Sequence, residues 1–374
     1  MKKIILLLIC LCMISVICLK VLFDKESEQS ASSSAHIPQI NDDNRIDDLI
    51  ENMTLEEKVG QMFIVRHPES QQNKVISSYH IGGYILFARD FENENKQSIV
   101  EKIKTYHETA KIPLFIGVDE EGGTVNRISK FSQYRQTPFL SPQSLYKQGG
   151  MELIKTDTQE KCQLLKEIGV NVNFAPVCDI STHQDDFMFE RSFGKDASST
   201  SEYIKTVVSV MKDNKVASVL KHFPGYGHNI DTHTNIAYDK RSYDEFVSSD
   251  FLPFQAGIDT GADIVLVSHN IVECLDQKYP ASLSKKVHDI LREELHFQGV
   301  IITDDLSMDG VSQFSDDKAA VLAIQAGNDL LCCTDYEVQI PAVIDSVKKG
   351  QISEEQINES VKRILKLKRS LGLI

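Results

Sequence analysis

The chain has 374 residues, 41% of them hydrophobic and 25% charged, with a formal net charge of -14. This composition excludes a disordered or collagen-like chain, and the acidity argues against a nucleic-acid partner, whose phosphates need clustered Lys and Arg. At about 150 residues per domain, the length admits two ordinary domains or one large barrel of roughly 250 residues or more.

Lys2 and Lys3 precede an uncharged run over residues 4–19, which ends at Lys20 and is followed by Val21, Leu22 and Phe23. A basic start before an apolar core reads as an export signal. No small-x-small cleavage site follows directly, and the stretch to Phe23 reaches about 20 residues, enough to span a bilayer. The expectation is an uncleaved signal-anchor over 1–23, with Lys2 and Lys3 cytoplasmic and the body on the outer face of the membrane. A cleaved signal peptide, giving a secreted protein, is one alternative. A lipoprotein attached through Cys18 is another, although Ile17 is a poor residue before a lipidated Cys. Residues 24–40 are Ser-rich and read as a flexible linker. The folded domain is assigned to 41–374.

Three of the eight cysteines, Cys10, Cys12 and Cys18, sit in the apolar run. Cys162, Cys178, Cys274, Cys332 and Cys333 are scattered and odd in number. They read as buried free thiols rather than a disulfide framework or a zinc site.

In the domain, Thr54 and Glu57 have the spacing of a capping box and start a short helix. Eight short apolar runs follow, at 62–65, 83–87, 114–118, 170–175, 218–222, 264–269, 300–304 and 329–333. Helical patterns lie between and after them, at 97–109, 154–166, 201–212, 243–258, 285–294, 318–326, 340–348 and 354–369. Runs that are apolar at nearly every position, rather than alternating, suit parallel strands covered on both faces. Eight strands alternating with helices argue for an α/β fold, a single TIM-type (β/α)8 barrel. A doubly wound open sheet is the competitor, but no GxGxxG follows a strand to bring a dinucleotide.

Each strand run ends in polar residues: Arg66-His67, Arg89-Asp90, Asp119-Glu120-Glu121, Asp179, Lys221-His222, His269-Asn270, Asp304-Asp305 and Thr334-Asp335. A barrel places its active site at this face, so these groups are expected to converge on one mouth.

Four segments carry chemistry. In Asp119-Glu120-Glu121-Gly122-Gly123, followed by Arg127, the glycines let the backbone approach a ligand and the carboxylate can accept two hydroxyls. The plain alternative is an acidic surface turn. Arg191 in Glu190-Arg191-Ser192-Phe193-Gly194 is a ligand clamp or a loop salt bridge. Lys221-His222-Phe223-Pro224-Gly225-Tyr226-Gly227 leaves a strand and runs on to Asp231-Thr232-His233. There the carboxylate can orient the imidazole for proton transfer. A solvated loop pair, or a metal site drawing on His222, His228, His233 and Asp231, are the alternatives; no HxH or HExxH spacing supports metal. Finally, Thr303-Asp304-Asp305 ends a wholly apolar strand. A carboxylate on a rigid strand tip is a good nucleophile toward an anomeric carbon. We assign the chemistry to Asp304 and a helix N-cap to Asp305.

With these four motifs in order, residues 45–372 resemble the family 3 glycoside hydrolases, in the β-N-acetylhexosaminidase branch that acts on peptidoglycan fragments. The resemblance implies Asp304 as nucleophile and His233 as general acid/base with Asp231 as its partner. It implies that Asp119, Arg127, Arg191, Lys221 and His222 hold an N-acetylglucosamine unit. It implies a carbohydrate substrate, no cofactor, no metal and a monomer. Tyr226 and Thr232 stand where many relatives have His and Ser, and Thr124 and Asn126 where Arg and Gln are frequent. The Asp-x-His pair is intact, so activity is expected to survive these departures.

The implied reaction is retaining hydrolysis. A neutral imidazole in place of a second carboxylate would not repel an incoming anion, so phosphate is a conceivable acceptor beside water. Three other readings compete. The first is another family 3 specificity such as β-glucosidase, whose members usually take their acid/base from a second domain for which the residue count leaves little room. The second is a metal-dependent barrel hydrolase. The third is a membrane-tethered wall-binding protein without catalysis.

Overall fold

The computed structural model describes residues 42–227, 237–312, 314 and 318–374. The 1–23 anchor and the 24–40 linker lie outside them. Among the described residues no helix is long and apolar enough to cross a membrane. The chain divides into two units, Met1–Arg45 and Ile46–Ile374, and the second carries the fold.

Among the described residues ten strands occur: β1 Phe63–Arg66, β2 Gly83–Leu86, β3 Phe115–Val118, β4 Val172–Asn173, β5 Ala217–Phe223, β6 Tyr238–Asp239, β7 Ile264–Val267, β8 Ile271–Val272, β9 Val300–Thr303 and β10 Leu331–Cys333. Eight form one sheet in the order β10-β1-β2-β3-β4-β5-β7-β9, with every pair parallel. The two end strands meet. Ile302 bridges Leu330, and the Leu330 N–H donates to the Ile301 carbonyl at 3.0 Å. A doubly wound sheet would leave those edges apart; this is a (β/α)8-type barrel. β6 and β8 form a separate two-stranded parallel pair.

All eight predicted strands are present, because each carries the side chains that a strand buried on both faces requires: β2, β3, β7 and β9 are buried throughout. The Thr54 capping box is also present. The Glu57 N–H donates to Thr54 Oγ1 at 3.2 Å, and the Thr54 N–H donates to Glu57 Oε2 at 2.9 Å. Two helices differ from expectation. The helix predicted over 154–166 belongs to Pro142–Glu167, which breaks at Gly149 and Gly150. The stretch predicted as one helix over 243–258 passes through a π-helical segment at Phe246–Asp250 before continuing over Phe251–Thr260. The five described cysteines are free; four are buried as expected, whereas Cys274 is exposed.

The last helix, Glu354–Ser370, is amphipathic by sequence and packs against the helix Leu55–Gln61 and strand β9. Its Lys368 is fully buried and donates from Nζ to Gln61 Oε1 at 2.7 Å and to the Gly82 carbonyl at 2.9 Å. Both acceptors precede strands β1 and β2. Burial without a carboxylate pushes the Lys368 amine down to about 7 from its ordinary 10.5. The unfolded chain therefore holds a proton that the folded chain gives up between those values, and this residue makes stability rise with pH across that window. Lys368→Met is expected to remove that rise, read as urea midpoints from pH 7 to 10. An unchanged slope would refute the assignment.

Candidate active site

The C-terminal ends of the strands enclose a cavity of about 370 Å³. Its wall includes Arg66 of β1, Phe87 after β2, Asp119, Glu121 and Arg127 after β3, Phe174 after β4, Arg191 in the following loop, Lys221 and His222 of β5, and Asp304 after β9. Consecutive strand residues normally face opposite sides. The register of β5 against β7 shifts between Leu220 and Phe223, and Lys221 and His222 both line the cavity.

The glycines after β3 do what the sequence suggests. Gly122 and Gly123 have φ of 104° and 66°, and a Cβ on Gly122 would lie 2.2 Å from the Leu140 carbonyl oxygen. Between them and the strand, the three acidic residues split by alternation. Glu120 turns inward and accepts the backbone N–H groups of Arg127, Ile128 and Ser129 at 2.8, 2.8 and 3.1 Å, so it builds the turn. Asp119 and Glu121 face the cavity.

There they meet the cations. Lys221 Nζ lies 2.7 Å from Asp119 Oδ1 and 2.6 Å from Glu121 Oε1. Arg191 forks onto Glu121, with Nε 3.0 Å from Oε2 and Nη2 2.7 Å from Oε1. Arg127 Nη2 is 4.0 Å from Asp119 Oδ2. Burial alone would raise the Glu121 carboxyl, but the Arg191 and Lys221 charges overcome it and hold it well below the usual carboxylate range. Burial likewise works against the charge of Lys221, and Asp119 and Glu121 more than restore it. Glu121 was part of a motif in the sequence but not a candidate site residue. Its signal was its spacing from Asp119: residues two apart beyond a strand face the same way.

Removing one partner of a buried ion cluster leaves charge uncompensated, at a cost of about 3–5 kcal/mol. Glu121→Gln is expected to destabilise the fold by that order and to raise KM. Because the folded carboxyl is held low, the wild-type contribution is complete above the usual carboxylate range and is lost as pH falls toward the lowered value. Acid unfolding of the variant should therefore begin from a lower plateau with a shallower acid limb. An acid limb as steep as that of wild type would contradict this.

Asp179 is the other unassigned partner. It is buried after β4, and its Oδ2 accepts the His222 backbone N–H at 3.0 Å and lies 2.8 Å from His222 Nδ1. Its Oδ1 accepts the Tyr226 N–H at 2.8 Å. The other ring nitrogen, Nε2, faces Arg191 Nη2 at 3.3 Å. An arginine only donates, so Nδ1 carries the proton and Nε2 accepts. One carboxylate thus fixes both the imidazole and the loop that follows.

That loop is framed by Arg241. Gly225 has φ of 121°, and a Cβ there would meet Asp250 Oδ1 at 2.3 Å. Arg241 Nη2 donates to the Gly225 carbonyl at 3.3 Å and to Asp239 Oδ2 at 2.7 Å, while Nη1 lies 2.9 Å from both Asp250 oxygens. Asp231 and His233 lie outside the described residues.

Asp304 Oδ1 accepts the Asp305 N–H at 2.9 Å. Asp305 is not a helix N-cap. The next helix starts at Asp309, and the Asp305 carboxylate holds a turn, with Oδ1 accepting from Ser307 N–H at 3.0 Å and Oδ2 from Thr334 Oγ1 at 2.5 Å. Nor do all eight strand ends converge on the mouth. His67 Nδ1 pairs with Asp90 at 2.9 Å and its Nε2 with Tyr106 at 3.0 Å. His269 Nδ1 meets Ser282 at 2.7 Å, and Asp335 accepts from Gln339 at 2.9 Å. Several strand-end groups therefore tie loops to the barrel.

A closed parallel barrel with carboxylates, three guanidiniums, an ammonium and an imidazole gathered at its C-terminal mouth defines a polar-ligand enzyme site. Residues 54–367 match the family model described as "Glycosyl hydrolase family 3 N terminal domain", and the chain belongs to that family. It is 33% identical over 261 residues to a beta-hexosaminidase of Nitrosomonas eutropha, covering 68% of this chain and 74% of that protein. It is 32% identical over 292 residues to a beta-hexosaminidase of Haemophilus influenzae, covering 75% and 80%. Among solved structures, a family 3 beta-N-acetylglucosaminidase from Paenibacillus sp. str. FPU-7 superposes with a TM-score of 0.80 at 30% identity, covering 86% of this chain and 63% of that one. LpqI of M tuberculosis superposes with a TM-score of 0.77 at 25% identity, covering 86% and 96%.

Proposed function

We propose that the protein is a retaining β-N-acetylhexosaminidase that removes terminal β-linked N-acetylglucosamine from peptidoglycan-derived fragments outside the cell. The observation that carries this is the single cavity in which Asp304 faces the Asp119–Lys221–Glu121–Arg191 cluster. Family membership and the beta-hexosaminidase relatives support the sugar class.

The cluster suits a neutral, hydroxyl-rich ring. Its carboxylates accept from hydroxyls and its cations donate to them, so each hydroxyl finds both partners. In our reading Asp119, Arg127, Arg191, Lys221 and His222 hold the N-acetylglucosamine unit. Asp304 then attacks the anomeric carbon, forming an ester bond as the glycosidic C–O bond breaks. The leaving oxygen takes a proton from His233, which Asp231 orients. In the second step neutral His233 removes a proton from water, the hydroxide attacks the anomeric carbon, and Asp304 departs as carboxylate. The N-terminal apolar run is read as the export signal and anchor.

Wild-type activity on an aryl N-acetyl-β-glucosaminide, compared with an aryl β-glucoside, tests the reading. Strong preference for the N-acetyl substrate is expected. Equal or reversed preference would replace it with another family 3 specificity, and no activity on either would favour a wall-binding protein.

A further inference from the structure

Lys161 and Asp157 stand four residues apart on the helix Pro142–Glu167, in the part that follows its break at Gly149 and Gly150. Both are buried, and neither lines the active-site cavity. They border a separate cavity of about 20 Å³, whose wall also includes Leu145, Ile154, Val207 and Met211. Taking two charges out of water is costly, and apolar side chains of similar volume often serve stability as well or better. The pairing itself is loose. Lys161 Nζ lies 3.5 Å from Asp157 Oδ2, and that oxygen has no hydrogen-bond partner. Burial raises the Asp157 carboxyl despite the neighbouring ammonium. Stability alone gives little reason for this pair.

Among the described residues, Glu121 alone lines both cavities. Lys161 holds it from behind. Its Nζ donates to the Glu121 carbonyl at 3.0 Å and lies 5.0 Å from the centroid of the Phe139 ring. The Glu121 N–H donates to the Val125 carbonyl at 3.0 Å. The backbone of Glu121 is therefore fixed on both sides, by its own turn and by the helix. Toward the active site, its Oε1 lies 2.6 Å from Lys221 Nζ and 2.7 Å from Arg191 Nη2. A displaced Glu121 would carry both cations with it, and a shift of about 1 Å in a reacting geometry can cost roughly 100-fold.

We propose that Lys161 is a positioning residue of the active site: its ammonium, with Asp157 as counter-ion, pins the Glu121 backbone and so sets where Lys221 and Arg191 meet the substrate. This rests on the hexosaminidase reading above. The test measures urea midpoints, and kcat and KM on an aryl N-acetyl-β-glucosaminide, for wild type, Lys161→Met and the double variant Asp157→Leu/Lys161→Met. Lys161→Met leaves the Asp157 charge buried and uncompensated, so its midpoint should fall. Its kcat/KM should fall about 10- to 100-fold, chiefly through KM. The double variant removes both charges at similar volume. Its midpoint is expected to return to that of wild type or above, while kcat/KM stays at least about tenfold down. Recovery of kcat/KM together with the midpoint would make the pair merely structural and overturn the proposal. The Glu121→Gln background supplies a second arm. There, Lys161→Met should lower kcat/KM by roughly threefold or less, because the carboxylate through which it acts is gone. The same fold-loss in both backgrounds would also overturn it. Calorimetric titration with N-acetylglucosamine keeps the two readings apart. Wild type that binds the sugar without cleaving the aryl glycoside overturns the hexosaminidase reading alone, and the dissociation constants of the same variants then decide on Lys161 by the same pattern. Neither binding nor cleavage overturns both.

Discussion

Asp304→Asn is expected to lower turnover of an aryl N-acetyl-β-glucosaminide by about 10⁴-fold or more, with substrate binding largely retained. The carboxylate stands one residue beyond β9, a strand whose four residues are all buried. Its backbone N–H donates to the Val267 carbonyl at 3.1 Å, so the tip is fixed to the neighbouring strand. Asn keeps the shape and loses the negative charge that the proposed nucleophile needs. Rates measured at saturating substrate, with binding followed by inhibitor titration, separate the two effects. Turnover within tenfold of wild type would exclude Asp304 as nucleophile. As a complementary check, Asp304→Gly with added azide should regain activity and release an α-glycosyl azide, because the small anion would attack from the face that Asp304 vacates.

The second large effect concerns His233, and its size depends on the leaving group. His233→Ala is expected to slow cleavage of a disaccharide by roughly 10²- to 10⁴-fold, the usual worth of a general acid/base. An aryl glycoside with a strongly activated leaving group needs little protonation, so its first step should suffer far less. Its second step still lacks a base for water, and a burst of aryl alcohol equal to the enzyme concentration should precede slow turnover. Asp231→Asn should show the same pattern in weaker form. Equal losses on both substrates, without a burst, would count against the acid role.

The fold was largely legible because parallel barrel strands are unbroken apolar runs, and eight such runs leave few alternatives. What escaped was either too short or too dependent on neighbours. β6 and β8 have two residues each and carry no periodicity. The π-helical segment at Phe246–Asp250 leaves the helical pattern of its sequence intact. In the site, residue types and segments were legible, while pairings were not. Nothing local marks Asp179 as the partner of His222, since 43 positions separate them. The same holds for Glu121 and Arg191, which are 70 apart. Asp305 reads from the sequence as a helix N-cap, but its carboxylate holds a turn instead, and one of its partners, Thr334, is supplied by the chain after β10.

The Arg241 frame has an evolutionary consequence. Gly225 and Gly227 on one side, and Asp239 on the other, are anchored to the same guanidinium or packed against it. In the sequence, residues 228–236, which include Asp231 and His233, fall between these two anchored ends. Chain between fixed posts can change length cheaply, since doubling a loop costs only about 0.6 kcal/mol in closure entropy. On the reading proposed above, the segment assigned to proton transfer is therefore one whose length can be exchanged. On that reading, insertions or grafts there would retune which leaving groups are protonated, while the strand-borne residues around the cavity stay unchanged.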